Sequence, residues 1–170
     1  MIFAFRRMRP PRLAKFTYMG CHQYFLTICT FERRRHFTCP ALVGDLTMTF
    51  RRTASQEQFA IPAYCFMPDH VHMLVEGQSD SADLRAFIND AKQRSAYVAR
   101  LRISGRLWQA GYFDRVLRET DDGHAVARYI VQNPVRAGLV LSPGDYPSWG
   151  SSILSTEELA ESTMWRPGAP

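Results

Sequence analysis

Two apolar runs separated by the dipeptide Pro68-Asp69 constrain the fold of this chain more than any other feature. The runs are FAIPAYCFM, residues 59–67, and HVHMLVEG, residues 70–77, and both are rich in residues that favour strands. Because Pro and Asp are turn formers, the runs predict an antiparallel β-hairpin. Side chains alternate along a strand, so His70 and His72 must face the same side of that hairpin.

These two histidines need an explanation, because an imidazole is costly to bury without a polar partner. Two residues apart on a strand, they lie about 7 Å apart along the backbone and can converge on one metal ion if a third group joins them. The His-x-His pattern alone also fits ordinary core histidines. A metal site therefore requires a partner from elsewhere in the chain.

The best partner is the stretch ARYIVQNPVRAGLV, residues 127–140. Tyr129 and Asn133 are four residues apart and share one face of a predicted short helix. An amide oxygen can ligate a metal, and a phenol oxygen can act as a nucleophile. Each residue also has a structural explanation, since Asn133 could end the helix and Tyr129 could be a half-buried aromatic side chain. Together with the histidines, they supply the groups that a metal-assisted attack on a phosphodiester uses.

The remaining pattern predicts one α+β domain, and 170 residues suit a single domain. The predicted elements, besides the hairpin, are a strand over 22–31, a helix from Pro40, a helix over 84–101 capped by Ser81 or Asp83, a strand region over 106–119 and a helix opened by Asp121 or Asp122. This order predicts a ferredoxin-like antiparallel sheet with helices packed on one face. We expect a loose N-terminal segment, 1–16, the domain at 17–152 and a C-terminal tail, 153–170.

Charge and cysteine usage narrow the class of protein. The net charge of +5 and the pI near 9.3 favour a polyanionic partner without identifying it. The four cysteines, Cys21, Cys29, Cys39 and Cys65, lack a paired spacing such as C-x-x-C. This spacing argues against a zinc ribbon or a disulfide framework and favours a reducing cytoplasm. No run of 18 apolar residues occurs, so we expect no membrane partner.

Several motifs, in order along the chain, resemble a known family. MPDHVHMLV, residues 67–75, resembles the histidine motif of the single-tyrosine HUH transposases, the IS200-like superfamily. YIVQNPVRAGLV, residues 129–140, resembles the tyrosine helix of their subgroup, the REP-associated tyrosine transposases. LWQAGYFDRVLRETDD, residues 107–122, and DYPSWGSS, residues 145–152, are similar to the same subgroup. The resemblance implies the ferredoxin-like fold, with the histidine motif on a central strand.

The resemblance also implies roles for the site residues. His70 and His72 would be metal ligands, Tyr129 the nucleophile and Asn133 the third ligand, where mobile insertion-sequence relatives usually have Gln. The implied cofactor is a divalent metal, Mg²⁺ or Mn²⁺, and imidazole ligands favour Mn²⁺ in vitro. The implied reaction is the cutting and rejoining of single-stranded DNA through a 5′-phosphotyrosine intermediate.

The implied partner is single-stranded DNA that carries a REP-like hairpin, bound by a monomer or a homodimer. Such a protein would be cytoplasmic and associated with the nucleoid. Candidates for DNA contact are Arg94, Arg115, Arg118 and Arg136 for phosphates and Trp108 for stacking on an unpaired base. Solvated surface is the ordinary alternative for each arginine, and core packing is the alternative for the tryptophan.

Two other functions are compatible with the same residues. A domesticated protein could keep the fold and bind DNA hairpins without cleaving them. A nucleotide hydrolase of the histidine-triad type also has alternating histidines, but position 74, where a third would lie, is leucine. Incubation with labelled hairpin DNA distinguishes a covalent adduct, nucleotide hydrolysis and binding alone.

Overall fold

The computed structural model describes residues 16–163, and an antiparallel sheet of five strands lies at the centre of this part of the chain. The strands are β1 (Gln23–Cys29), β2 (Phe59–Met67), β3 (His70–Gly77), β4 (Phe113–Val116) and β5 (Trp149–Gly150). Their order across the sheet is β4-β1-β3-β2-β5. The predicted hairpin is therefore β2 and β3, and the histidine motif lies on the central strand, as predicted.

The helices begin close to the predicted residues. They are α1 (Pro40–Gln56), α2 (Leu84–Ala99), α3 (Gly123–Val131), α4 (Asn133–Arg136) and α5 (Thr156–Thr163). Of the alternative N-caps, Asp83 caps α2, where its carboxylate accepts hydrogen bonds from two backbone amides. Asp122 caps α3 by accepting a hydrogen bond from the His124 amide.

The sheet separates two apolar layers. Helices α1 and α2 cover the face that carries Leu26 and Met73, and together they form the larger core cluster. Helices α3 and α5 cover the opposite face, where Phe25 and Leu74 pack with Ile130. This second layer departs from the prediction of helices on one face only. The physical reason is that β1 and β3 are buried on both sides, so each face of the sheet needs an apolar cover.

The segment 106–119 differs from the predicted strand region, because only Phe113–Val116 forms a strand in the sheet. The preceding residues are held by side chains of α2. The Lys92 ammonium donates to the carbonyls of Gln109, at 2.8 Å, and of Gly111, at 2.7 Å. Gly111 has a φ of 70°, which turns the chain before β4 begins. These long-range contacts override the local strand pattern.

The predicted end segments lie partly outside the described residues. Of the N-terminal segment, 1–16, only Phe16 is described. Within the predicted tail, 153–170, helix α5 packs on α3 through the buried Leu159, and residues 164–170 lie outside the description. The domain boundaries therefore stay predictions. Between residues 16 and 163, no helix is long and apolar enough to cross a membrane.

Candidate functional site

The imidazoles of His70 and His72 converge at the start of β3. Their Nε2 atoms are 3.0 Å apart, and the two ring planes are inclined at 83°. Two nitrogen ligands that each lie about 2.1 Å from one ion, at a right angle, are about 3.0 Å apart. The two side chains therefore have the separation that a divalent cation chelated by both Nε2 atoms would require.

The other nitrogen of each imidazole has a polar partner. Nδ1 of His70 lies 2.6 Å from Oδ1 of Asp69, and Nδ1 of His72 lies 2.8 Å from Oγ1 of Thr27. A carboxylate only accepts hydrogen bonds, so His70 must donate through Nδ1–H. The Thr27 hydroxyl can accept a hydrogen bond from Nδ1 of His72, and when both Nδ1 atoms donate, the lone pairs are on the Nε2 atoms, which is the tautomer that a metal ligand needs.

Burial keeps both imidazoles neutral. It lowers the pKa of His72 well below the ordinary value, and the nearby His70 and Arg33 lower it further. Burial also lowers the pKa of His70, although the hydrogen bond with Asp69 opposes this shift. At neutral pH the contact between Asp69 and His70 is thus a hydrogen bond from a neutral ring. Neutral imidazole is the form that binds a metal ion.

Tyr129 projects from α3 towards the histidine strand. Its ring centroid lies 6.2 Å from that of His72 and 5.9 Å from that of Phe25. Phe25, on β1, also stacks on His72, with centroids 5.4 Å apart. The guanidinium of Arg136 lies over the Tyr129 ring at 5.1 Å. The structure therefore brings the predicted nucleophile together with the predicted ligand pair.

Asn133 is the first residue of α4, and its Nδ2 donates to the carbonyl of Tyr129 at 2.9 Å. The prediction put both residues on one helix, but α3 ends at Val131 and Pro134 opens a separate turn. No group of three His, Cys, Asp or Glu side chains that could hold a metal occurs between residues 16 and 163. A third protein ligand from this part of the chain would have to be another residue type, and ligation by Asn133 stays a prediction.

The predicted arginine contacts lie in different parts of the fold. Arg115 is on β4 and pairs with Asp121 at 2.7 Å, and Arg136 contacts the tyrosine ring. Arg118 is exposed just after β4. Arg94 is on α2, across the sheet from the histidines, and pairs with Asp90 at 2.8 Å. Three of the four arginines are thus on the chain segments that adjoin the tyrosine helix.

Trp108 is in the core rather than on a DNA-contacting surface. Its side chain is 3% exposed and packs against Phe37 and Phe50. The indole Nε1 donates to Oγ of Ser95 at 2.8 Å. The predicted stacking of Trp108 on an unpaired base is corrected accordingly, because the ring would have to leave the core to reach one.

A cavity of about 210 Å³ lies next to Tyr129. Its walls are largely apolar and include Phe25, Leu117 and Val126, while the Arg115–Asp121 ion pair supplies polar atoms. The cavity gives the tyrosine a neighbouring space in which part of a ligand could be held.

Sequence reasoning missed three residues that surround the histidines, namely Thr27, Asp69 and Arg33. Thr27 is a polar side chain inside an otherwise apolar stretch of β1, and Asp69 directly precedes the first histidine. Both of these residues could have been noticed, because each places a polar side chain beside the histidine strand. Arg33 gave no such signal, because it is one of several arginines in a basic turn.

Comparisons with known proteins agree on one family. The sequence profile described as "Transposase IS200 like" matches residues 19–133. A Haemophilus influenzae protein, provisionally named a REP-associated tyrosine transposase, is 25% identical over 136 residues, which are 73% of this chain and 76% of that protein. The REP-associated tyrosine transposase of Escherichia coli is 26% identical over 89 residues, and the match spans 52% of each chain.

One solved structure has the same fold. It is described as a REP-associated tyrosine transposase bound to a REP hairpin, and it aligns with a TM-score of 0.67. The alignment covers 82% of this chain and 81% of that chain, at 21% sequence identity. The likeness confirms the predicted α+β fold.

Proposed function

Since the chain belongs to the IS200-like transposase family, we propose that it is an enzyme that cuts and rejoins single-stranded DNA through a covalent tyrosine intermediate. The observation that carries the proposal is the convergence of two imidazoles with a tyrosine ring: the Nε2 atoms are 3.0 Å apart, and the Tyr129 ring lies 6.2 Å from the His72 ring. Neither group alone would indicate phosphodiester chemistry.

The proposed substrate is single-stranded DNA with a REP-like hairpin. The related structure bound to a REP hairpin supports this choice, and the net charge of +5 is compatible with a polyanion. We propose that Arg115, Arg118 and Arg136 contact phosphates near the tyrosine. Arg94 would contact only a part of the DNA that reaches the α2 face.

In the proposed reaction, the phenol oxygen of Tyr129 attacks the scissile phosphate. A bond forms between that oxygen and phosphorus, and the bond from phosphorus to the 3′ oxygen breaks. The phenol proton passes to water, and the leaving 3′ oxygen takes up a proton from water. The products are a 5′-phosphotyrosine link and a 3′-hydroxyl. Because the link keeps the energy of the phosphodiester, the 3′-hydroxyl of another strand can attack it and rejoin DNA without ATP.

His70 and His72, with Asn133 as the proposed third ligand, would hold a divalent cation, Mg²⁺ or Mn²⁺. When bound, such a cation polarises the phosphate and stabilises the leaving oxygen. Imidazole nitrogen is a poor match for the hard Mg²⁺ ion, so we expect Mn²⁺ to bind more tightly in vitro.

Two neighbours orient the nucleophile. Phe25 packs on both His72 and Tyr129, and with Leu74 and Ile130 it fills the space between the sheet and the tyrosine helix. The Arg136 guanidinium lies against the tyrosine ring and brings a positive charge to the place where a phosphate would bind.

Tyr129→Phe tests the proposal, because it removes one oxygen and keeps the ring that packs on Phe25. With Mn²⁺ and a labelled hairpin oligonucleotide, the wild type should form a protein–DNA species that survives denaturation, and Tyr129→Phe should form none. Tyr97→Phe is the matched control, since Tyr97 is 71% exposed on α2 and should leave the adduct undiminished. Gel electrophoresis measures the adduct.

Peptide mapping of the adduct identifies the residue that carries the DNA. An adduct on Tyr97 or Tyr112, or an undiminished adduct in Tyr129→Phe, would overturn the assignment of the nucleophile. Hairpin binding without any adduct would instead indicate a DNA-binding protein that does not cleave, and release of nucleotides would indicate a hydrolase.

A further inference from the structure

We propose that Asp69 and Arg33 are positioning residues that hold the His70 imidazole in the tautomer able to bind a metal ion. The inference rests on the proposed function, because it assigns residues to the metal site of that reaction. Oδ1 of Asp69 accepts a hydrogen bond from Nδ1 of His70 at 2.6 Å, and Nε of Arg33 donates to Oδ2 of Asp69 at 2.8 Å. The three side chains form one continuous chain of contacts.

Because the two Nε2 atoms lie so close together, the tautomer of His70 determines whether its Nε2 can bind a cation. If the His70 proton were on Nε2, that nitrogen would donate to Nε2 of His72 across 3.0 Å. The resulting hydrogen bond would use the lone pair of one ring and the proton of the other, and neither nitrogen could bind a cation. Asp69 opposes that state, because a carboxylate can only accept and so requires the proton on Nδ1.

Thr27 cannot do the same for His72. A hydroxyl both donates and accepts, so its contact with Nδ1 at 2.8 Å is compatible with either tautomer. Asp69 therefore fixes the tautomer of His70, whereas the Thr27 hydroxyl adapts to either tautomer of His72.

Arg33 is held against Asp69 by the backbone of the turn after β1. Glu32 and Arg33 both have left-handed backbone angles, with φ values of 56° and 57°, which are uncommon for residues other than glycine. The Thr30 amide donates to the carbonyl of Asp69 at 3.0 Å and so ties this turn to the hairpin turn. Nη1 of Arg33 also donates to Sγ of Cys29 at 2.8 Å.

Asp69 acts through His70 and is not a third metal ligand in this arrangement. Both of its carboxylate oxygens have partners, one in His70 and one in Arg33. Among residues 16–163, the two histidines and Asp69 do not form a group of three that could hold one ion. A carboxylate behind a ligating histidine is a common way to fix the ring and raise its basicity.

Asp69→Asn tests the inference in the full chain, because its amide can donate to Nδ1 and so favours the proton on Nε2 of His70. Glu32→Gln is the matched control: it removes one negative charge from the neighbouring turn, where Glu32 pairs with Arg34 at 2.7 Å and not with His70. Imidazole ¹⁵N chemical shifts of the metal-free proteins report the tautomer. We expect Nδ1–H in wild type and Glu32→Gln, and Nε2–H in Asp69→Asn.

Titration with Mn²⁺, followed by electron paramagnetic resonance, provides the second readout. Asp69→Asn should weaken Mn²⁺ binding by about 10- to 100-fold, and Glu32→Gln should not change it. Arg33→Gln, which keeps the carboxylate but removes its cationic partner, should give an intermediate affinity. An unchanged His70 tautomer in folded Asp69→Asn, or equal Mn²⁺ affinity in Asp69→Asn and wild type, would overturn the inference.

The roles of Asp69 and Arg33 can be tested independently of the proposed function. If wild type forms no DNA adduct, the proposed function fails, while the tautomer and the Mn²⁺ affinity still decide the roles of Asp69 and Arg33. If wild type forms the adduct and Asp69→Asn keeps the wild-type tautomer, the inference fails and the function stands.

Discussion

At the scale of single residues, the proposed metal ligands lie on the central strand of the sheet, and the proposed phosphate contacts lie on the surface. His70 and His72 lie on the central strand, where backbone pairing on both sides fixes their positions. The arginines proposed to contact phosphates are exposed or partly exposed on the segments around the tyrosine helix. The proposed metal ligands and the proposed phosphate contacts are therefore different side chains, and we expect mutation to separate metal binding from DNA binding.

The double variant His70→Ala, His72→Ala tests this separation. It should abolish Mn²⁺ binding and Mn²⁺-dependent adduct formation, because both imidazole ligands are lost. Hairpin affinity should stay close to that of wild type, since phosphate contacts supply it. Calorimetric titration with Mn²⁺ and fluorescence anisotropy with the hairpin measure the two quantities, and a thermal melt checks folding. Full metal-dependent activity in the double variant would exclude the histidines as the metal site.

At the scale of helices and strands, the capping residues of α2 and α3 offer a comparison between the two faces of the sheet. Asp83 and Asp122 each accept hydrogen bonds from the first turn of their helix. Helix α3 carries Tyr129, while α2 packs on the opposite face. Loss of either cap should reduce stability, but only loss of the α3 cap should disturb Tyr129, the proposed nucleophile.

We predict that Asp83→Ala and Asp122→Ala each lower the free energy of unfolding by about 1 kcal/mol. Urea denaturation measures this quantity. The single-turnover rate of adduct formation should fall in Asp122→Ala, because the start of the tyrosine helix frays, and should be unchanged in Asp83→Ala. Equal slowing in both variants would mean that the rate follows global stability rather than the order of α3.

Local patterns predicted most of these elements, and tertiary contacts explain the exceptions. The hairpin and helices α1 and α2 follow from strand alternation, turn residues and helical spacing, which are properties of neighbouring residues. The segment before β4 does not follow, because its contacts with Lys92 and Ser95 come from α2, which is distant in sequence from the strand pattern. The same limit applies to the site: alternation predicted that the histidines converge, but the contact of Arg33 with Asp69 depends on two separate turns meeting.

At the scale of the whole molecule, the sheet keeps the larger core apart from the site. Trp108 belongs to the core on the α1–α2 side, where it contacts aromatic rings and Ser95. Its effect on DNA binding should therefore be indirect and should follow stability alone.

Trp108→Ala should lower the free energy of unfolding by about 3–5 kcal/mol, because a large buried side chain is replaced by a cavity. Trp108→Phe keeps much of the volume and should remain folded, with wild-type affinity for the hairpin. Chemical denaturation and fluorescence anisotropy measure the two effects. A folded Trp108→Phe protein with clearly weaker hairpin binding would restore the stacking role.

The two outer strands of the sheet bear on how copies of the protein could assemble. β4 has four residues and β5 has two, so each presents few backbone amides and carbonyls at its outer edge. Another sheet that added to either edge would gain few backbone hydrogen bonds. A dimer joined through either of these edges would consequently gain little from backbone pairing, and the short edges also disfavour edge-to-edge aggregation.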